Sequence, residues 1–172
     1  MDEIKITKAT VNELMLLQSI AKQTFYETFA SYNSEENMSK YLAENFAEDK
    51  ILLEINNTNS EFYFAIYQHK EIGYLKINFG IAQTEKTTNN SLEIERIYVL
   101  KEFHGRNVGQ LLYEKAIKIA KARKVNYVWL GVWENNKRAI NFYKKNNFIE
   151  FDKHIFKLGD ELQTDIMMKL EI

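Results

Sequence analysis

Apolar residues recur at two spacings along the chain, and the changes of spacing mark its elements. Residues 3–8 (EIKITK) alternate polar and apolar positions as a short strand does. Thr10 stands three residues before Glu13, the T-x-x-E pattern of a helix start, and Leu14, Leu17, Ala21 and Phe25 hold helical spacing behind it. Ser34 begins a second helix, with Met38, Tyr41, Leu42 and Phe46 on one face. A third short helical stretch over about 47–55 carries Ile51, Leu52 and Ile55. The period then drops to two. EFYFAIY (61–67) and EIGYLKI (71–77), joined by QHK, read as a strand hairpin, TEKTTNN (84–90) as a polar loop and LEIERIYV (92–99) as another strand. A helix follows over about 108–122, then a buried strand over VNYVWLGVW (125–133), a helix over about 136–146, and a closing strand pair over 148–158 and 164–170. The order β-α-α-α-β-β-β-α-β-α-β-β is that of a mixed α/β domain.

Strand 92–99 breaks its own alternation. Leu92 and Ile94 are apolar at even positions, Ile97 and Val99 at odd ones, and a flat strand cannot keep both pairs on one face. Glu93, Glu95 and Arg96 argue against burial on both faces. A β-bulge near Glu95–Arg96 would shift the parity by one and leave backbone groups free to pair with an extended ligand. The alternative is an ordinary two-sided strand whose charges reach out to water.

Composition narrows the class. With 172 residues and no Gly/Ser linker or internal repeat, the chain reads as a single domain over 1–172. It is 45% hydrophobic, so it can build a core. The absence of cysteine excludes a disulfide scaffold, a thiolate metal site and a cysteine nucleophile. His69 and His154 are isolated, so no metal site is read. A net charge of −1 argues against a nucleic-acid partner. No apolar run is long enough to span a membrane, and MDEIKITKAT lacks the apolar core of a signal peptide, so a cytoplasmic protein is expected.

HGRNVGQLL (104–112) follows the broken strand and opens a helix. The first amides of a helix lack internal partners and carry the positive end of its dipole, which suits them to phosphate. Gly105 and Gly109 allow close approach, Asn107 tolerates left-handed backbone, and His104 and Arg106 could add contacts to an anion. The plain alternative is a helix start with two turn glycines. Neither a Walker loop nor G-x-G-x-x-G is present.

IYV (97–99) followed by HGRNVG (104–109) resembles the acyl-CoA-binding segment of the GNAT N-acetyltransferases, with His104 at the position usually Arg or Gln and Asn107 replacing the first glycine. GVWENNKRAINFYKKNNF (131–148) is similar to the same family's later motif through Asn136, Ala139, Phe142, Tyr143 and Phe148, with Asn147 where glycine is usual. TFYETFASYNSEEN (24–37) and GDELQTDIMMKL (159–170) further resemble the bacterial spermidine/spermine N-acetyltransferase-like members.

This resemblance implies a mostly antiparallel sheet with a central splayed parallel pair, 92–99 and 125–133, flanked by helices. It implies acetyl-CoA in the opening, its pantetheine on the backbone of Ile97, Tyr98 and Val99. The pyrophosphate would lie on His104, Gly105, Arg106, Asn107, Val108, Gly109 and Gln110, and the arm would meet Asn136, Ala139 and Tyr143. Tyr143 is expected to protonate the leaving thiolate, and Glu93 or Glu95 to take the amine's proton. Phe25, Tyr26, Phe29 and Tyr32 would wall the acceptor pocket, with Glu27, Glu35, Glu36, Asp160 and Glu161 available to attract a polycation; packing and solvated surface are the alternative. Trp129 and Trp133 alternate on one face and read as packing. The expected activity is acetyl transfer to a small amine, among them polyamines. Other amines (an amino acid, an aminoglycoside, a protein N-terminus), an acyl-CoA-binding sensor and a nucleotide-phosphate binder are the competing classes. The closing strands would serve a homodimer.

Overall fold

In a computed structural model describing residues 3–85 and 90–172, seven strands form one sheet. They are β1 (Lys5–Lys8), β2 (Ser60–Tyr67), β3 (Lys70–Phe79), β4 (Ser91–Val99), β5 (Tyr127–Trp133), β6 (Ile149–Leu158) and β7 (Glu161–Glu171), in the order β1-β2-β3-β4-β5-β7-β6. All neighbours are antiparallel except β4 and β5, the parallel pair expected. Helices α1 (Leu14–Phe29), α2 (Glu35–Asn45) and α3 (Glu48–Asn56) cover one face, and α4 (Val108–Ala122) and α5 (Lys137–Lys145) the other. No helix among the described residues is long and apolar enough to cross a membrane.

The termini of the elements follow their side chains. Thr10 forms the full capping box with Glu13, but the turn it caps is a 3₁₀ turn over Val11–Glu13 that leads into α1. Ser34 caps α2 by accepting from the Asn37 amide at 3.2 Å. The closing hairpin turns at Gly159–Asp160, so β7 begins at Glu161, three residues before the sequence pattern starts. The expected polar loop over 84–90 lies, for residues 86–89, outside the described residues.

The bulge in β4 is present. Lys76 of β3 pairs with Arg96 and the next residue, Ile77, with Ile94, so Glu95 is the extra residue. It puts Leu92, Ile94, Ile97 and Val99 against the α4–α5 layer with Leu112, Ala116 and Val128, and turns Tyr98 to the α1–α3 layer. One expectation is corrected here: the charges of this strand are not at the surface. Glu93 is 3% exposed, and the side chains of Glu95 and Arg96 are 17% and 14% exposed. Glu95 and Arg96 are tolerated because they face partners of opposite charge, and Glu93 because Thr84 and Asn78 donate hydrogen bonds to it.

Candidate functional site

The bulge and the parallel pair together create an opening. The β4–β5 ladder runs only from Ser91–Tyr127 to Glu93–Trp129. Beyond it β5 keeps β7 as a partner, while β4 bends away with β3. A cavity of about 560 Å³ lies where the strands part, and Ile97, Tyr98, Asn136, Ala139 and Tyr143 all line it.

One wall is a closed network of charge. Arg96 holds Glu54 of α3 through two hydrogen bonds, 2.9 and 3.0 Å, and reaches Glu95 at 3.1 Å. Lys76 of β3, 4% exposed, lies 2.6 Å from Glu95 and 3.2 Å from Glu54. Two cations thus face two carboxylates. Burial opposes the ionised form of Glu95, but Arg96 and Lys76 outweigh it and hold its pKa low. Glu93 differs. Burial pushes its pKa up, against hydrogen bonds from the Thr84 hydroxyl, the Thr84 amide at 2.8 Å and the Asn78 amide group at 3.0 Å. Two glutamates of the broken strand, on either side of Ile94, therefore face one cavity with opposite tendencies.

Tyr143 is 5% exposed between Phe142 and Phe148, at ring distances of 5.3 and 5.6 Å. Burial pushes its pKa up, and among the described residues nothing bonds to its hydroxyl. It stays a protonated donor. Asn136 caps α5, its Oδ1 accepting from the Ala139 amide at 3.1 Å, which leaves its Nδ2 available to the cavity.

The loop before α4 takes the backbone its sequence implies. Gly105 and Asn107 have φ of 78° and 64°, and Asn147 repeats the left-handed conformation at 66°. Among the described residues no side chain caps α4, and the first amide to find an internal acceptor is Leu111, bonded to the Asn107 carbonyl at 3.2 Å. The amides of Val108, Gly109 and Gln110 stay free for an anion. The side chain of Val108 is buried, Gln110 is shared with Glu114 and Asn146, and Arg106 lies over the Phe103 ring at 5.2 Å. His104 turns inward. Its Nε2 lies 2.8 Å from the Val99 carbonyl, which can only accept, and its Nδ1 meets the Arg138 guanidinium, which can only donate. The ring is therefore neutral with the proton on Nε2, and its burial lowers its pKa. Arg138, absent from the sequence reading, brings a cation to this loop from α5.

The aromatic candidates separate. Phe25 and Phe29 line the cavity, Phe25 stacking on Tyr41 at 4.7 Å. Tyr32 reaches it only through an edge contact with Trp133 at 4.8 Å, and Tyr26 turns out to Glu35 at 3.3 Å. Glu27, Glu35, Glu36, Asp160 and Glu161 do not line the cavity; Glu27 accepts from the Lys101 amide at 2.8 Å. Its lining acids are Glu54, Glu85, Glu93, Glu95 and Asp165. Trp129 and Trp133 pack, and they also line it.

Comparison with known proteins bears on the family and the fold. The pattern of the "Acetyltransferase (GNAT) family" matches residues 20–148. An uncharacterized N-acetyltransferase in the pepI 3′ region of Lactobacillus delbrueckii subsp. lactis is 40% identical over 169 residues, covering 98% of each chain. A spermidine N(1)-acetyltransferase of Thermoplasma acidophilum is 28% identical over 149 residues, 84% of this chain and 88% of that one. The crystal structure of the PaiA N-acetyltransferase of Thermoplasma acidophilum in complex with coenzyme A shares the fold, with a TM-score of 0.81 at 24% identity over 99% of both chains.

Proposed function

The chain belongs to the acetyltransferase (GNAT) family, and from that premise we propose that it acetylates a small aliphatic amine, a polyamine such as spermidine. One observation carries the reading: the point where β4 and β5 part brings a protonated tyrosine, a raised glutamate and an acidic, aromatic cavity together.

The residues fit the acyl carrier. Three free amides at the start of α4, with Arg106 and Arg138 nearby, suit its phosphates. Among the described residues the side of β4 beyond Glu93 that faces the opening has no strand partner, and it suits an extended amide-bearing arm. Acetyl-CoA supplies the thioester that the amine attacks.

A primary ammonium, with a pKa of about 10.4, must lose a proton first. Glu93 takes that proton through water, because its oxygens already accept from Thr84 and Asn78. Glu95 is held ionised by its ion pairs and is the weaker base. Tyr143 donates its proton to the departing sulfur. The spermidine acetyltransferase relative supports the acceptor class. The edge strand β6 leaves Ile149, Phe151 and Ile155 exposed, the surface a homodimer would use.

Thiol release from acetyl-CoA, followed across a panel of amines, tests the reading. Release is expected with spermidine or spermine. Tight coenzyme A binding with no turnover on any amine would replace it with an acyl-CoA sensor.

A further inference from the structure

Strand β5 carries a glycine at its centre, an unfavourable choice for a buried strand unless something approaches the backbone there. Gly131 lies between Trp129 and Trp133, which point to the same face, and all three line the cavity. The glycine is exposed while its strand neighbours are buried, so its open side faces the cavity. The result is a slot one residue wide between two indoles.

Asp165 of β7 stands beside this slot. It pairs with Trp133 in the ladder, and a methyl group on Gly131 would lie 3.4 Å from its Oδ2. Of the five carboxylates lining the cavity, four are engaged. Glu54 and Glu95 pair with Arg96 and Lys76, Glu85 lies 2.6 Å from His154, and Glu93 accepts from Thr84 and Asn78. The Asp165 side chain makes no hydrogen bond or ion pair among the described residues.

We propose that the slot over Gly131 is where the acceptor's ammonium group binds, held by the Asp165 carboxylate and the face of Trp133. This rests on the acetyltransferase reading and makes Asp165 a specificity residue for cationic acceptors. An indole face attracts a cation, and a carboxylate without a partner completes the charge. Burial raises the pKa of Asp165 to about 6, and the neighbouring His154 works against that rise. The titratable groups facing it are His154 across the ladder, with its partner Glu85, and Tyr41 of α2. The carboxylate is present above pH 6 and lost below it, so ammonium binding weakens as the pH falls through that value.

The test is a calorimetric titration of spermidine into the coenzyme A-loaded protein, alongside thiol-release kinetics. Asp165→Asn removes a charge whose burial opposes folding, so the fold and coenzyme A affinity should persist. Spermidine binding and KM should weaken at least tenfold with a much smaller change in kcat, and Asp165→Glu should restore most of the loss. Gly131→Ala, which fills the slot and leaves the charge, should weaken binding as well. Binding to the unaltered protein should fall between pH 7 and pH 5, and Asp165→Asn should flatten that dependence. Spermidine turnover that Asp165→Asn leaves within twofold overturns the slot while acetyl transfer stands. Asp165-dependent binding without thiol release supports the slot and overturns the transfer reading. No spermidine binding to the unaltered protein overturns the slot.

Discussion

Arg96→Met is the sharpest probe of the wall that shapes the cavity. In the intact protein two cations, Arg96 and Lys76, balance Glu54 and Glu95 in a buried cluster. Removing the guanidinium deletes three contacts of 2.9–3.1 Å and leaves one lysine between two carboxylates. Breaking one partner from a buried pair costs about 3–5 kcal/mol, because a charge is left without compensation. At roughly 2–4 °C per kcal/mol for a chain this long, the melting temperature should drop by about 6–20 °C. Adding Glu54→Gln restores the balance, since Lys76 then faces Glu95 alone. The double variant should therefore be more stable than the sum of its singles by about 1–3 kcal/mol. The pH dependence has a definite sign. The lowered folded pKa of Glu95 gives stability above its unfolded value that is lost as the pH falls through the folded one. Without Arg96 much of that contribution is missing already, so the gap between variant and parent should hold from pH 7 down to about 4.5 and narrow below it. Urea denaturation of the four proteins reads all of this. A single variant within about 1 kcal/mol of the parent, or strictly additive effects, would refute the charge-balance argument.

Other perturbations separate stability from chemistry. Tyr143→Phe removes a hydroxyl that has no partner among the described residues, so thermal stability should hold while kcat falls about 10²–10⁴-fold. An unchanged kcat would remove Tyr143 from proton donation. Gly73→Ala would place a methyl group 2.8 Å from the Tyr98 carbonyl, backbone that cannot swing aside. It should cost about 1–3 kcal/mol and weaken coenzyme A affinity, both measurable by melting with and without coenzyme A.

Local rules made much of this fold legible, and long-range partners made part of the site illegible. Strand parity exposed the bulge because apolar positions at 92, 94, 97 and 99 cannot share one face of a flat strand, and the extra residue is Glu95. Asn107 and Asn147 were legible as left-handed positions because their short polar side chains tolerate that backbone. Nothing local announces that Glu54 meets Arg96 across 42 residues, or that Lys76 completes the cluster. That pairing depends on α3 lying over the sheet where β4 bends, and it explains why Glu95 and Arg96 sit in a strand that then buries them, while Glu93 is met by Thr84 and Asn78 instead. Arg138 escaped for the same reason, since its partner His104 lies 34 residues away. Asp165 breaks no pattern in its own strand. The available signal was Gly131 between two tryptophans, a gap in a strand otherwise rich in large side chains.

A crystal structure with acetyl-CoA bound tests the central claim most directly. The expected result is a pantetheine arm along β4 beyond Glu93, phosphates on the Val108–Gln110 amides, and the thioester sulfur within hydrogen-bonding reach of the Tyr143 hydroxyl. Coenzyme bound elsewhere, with β4 and β5 zipped together past Glu93 and Trp129, would contradict it.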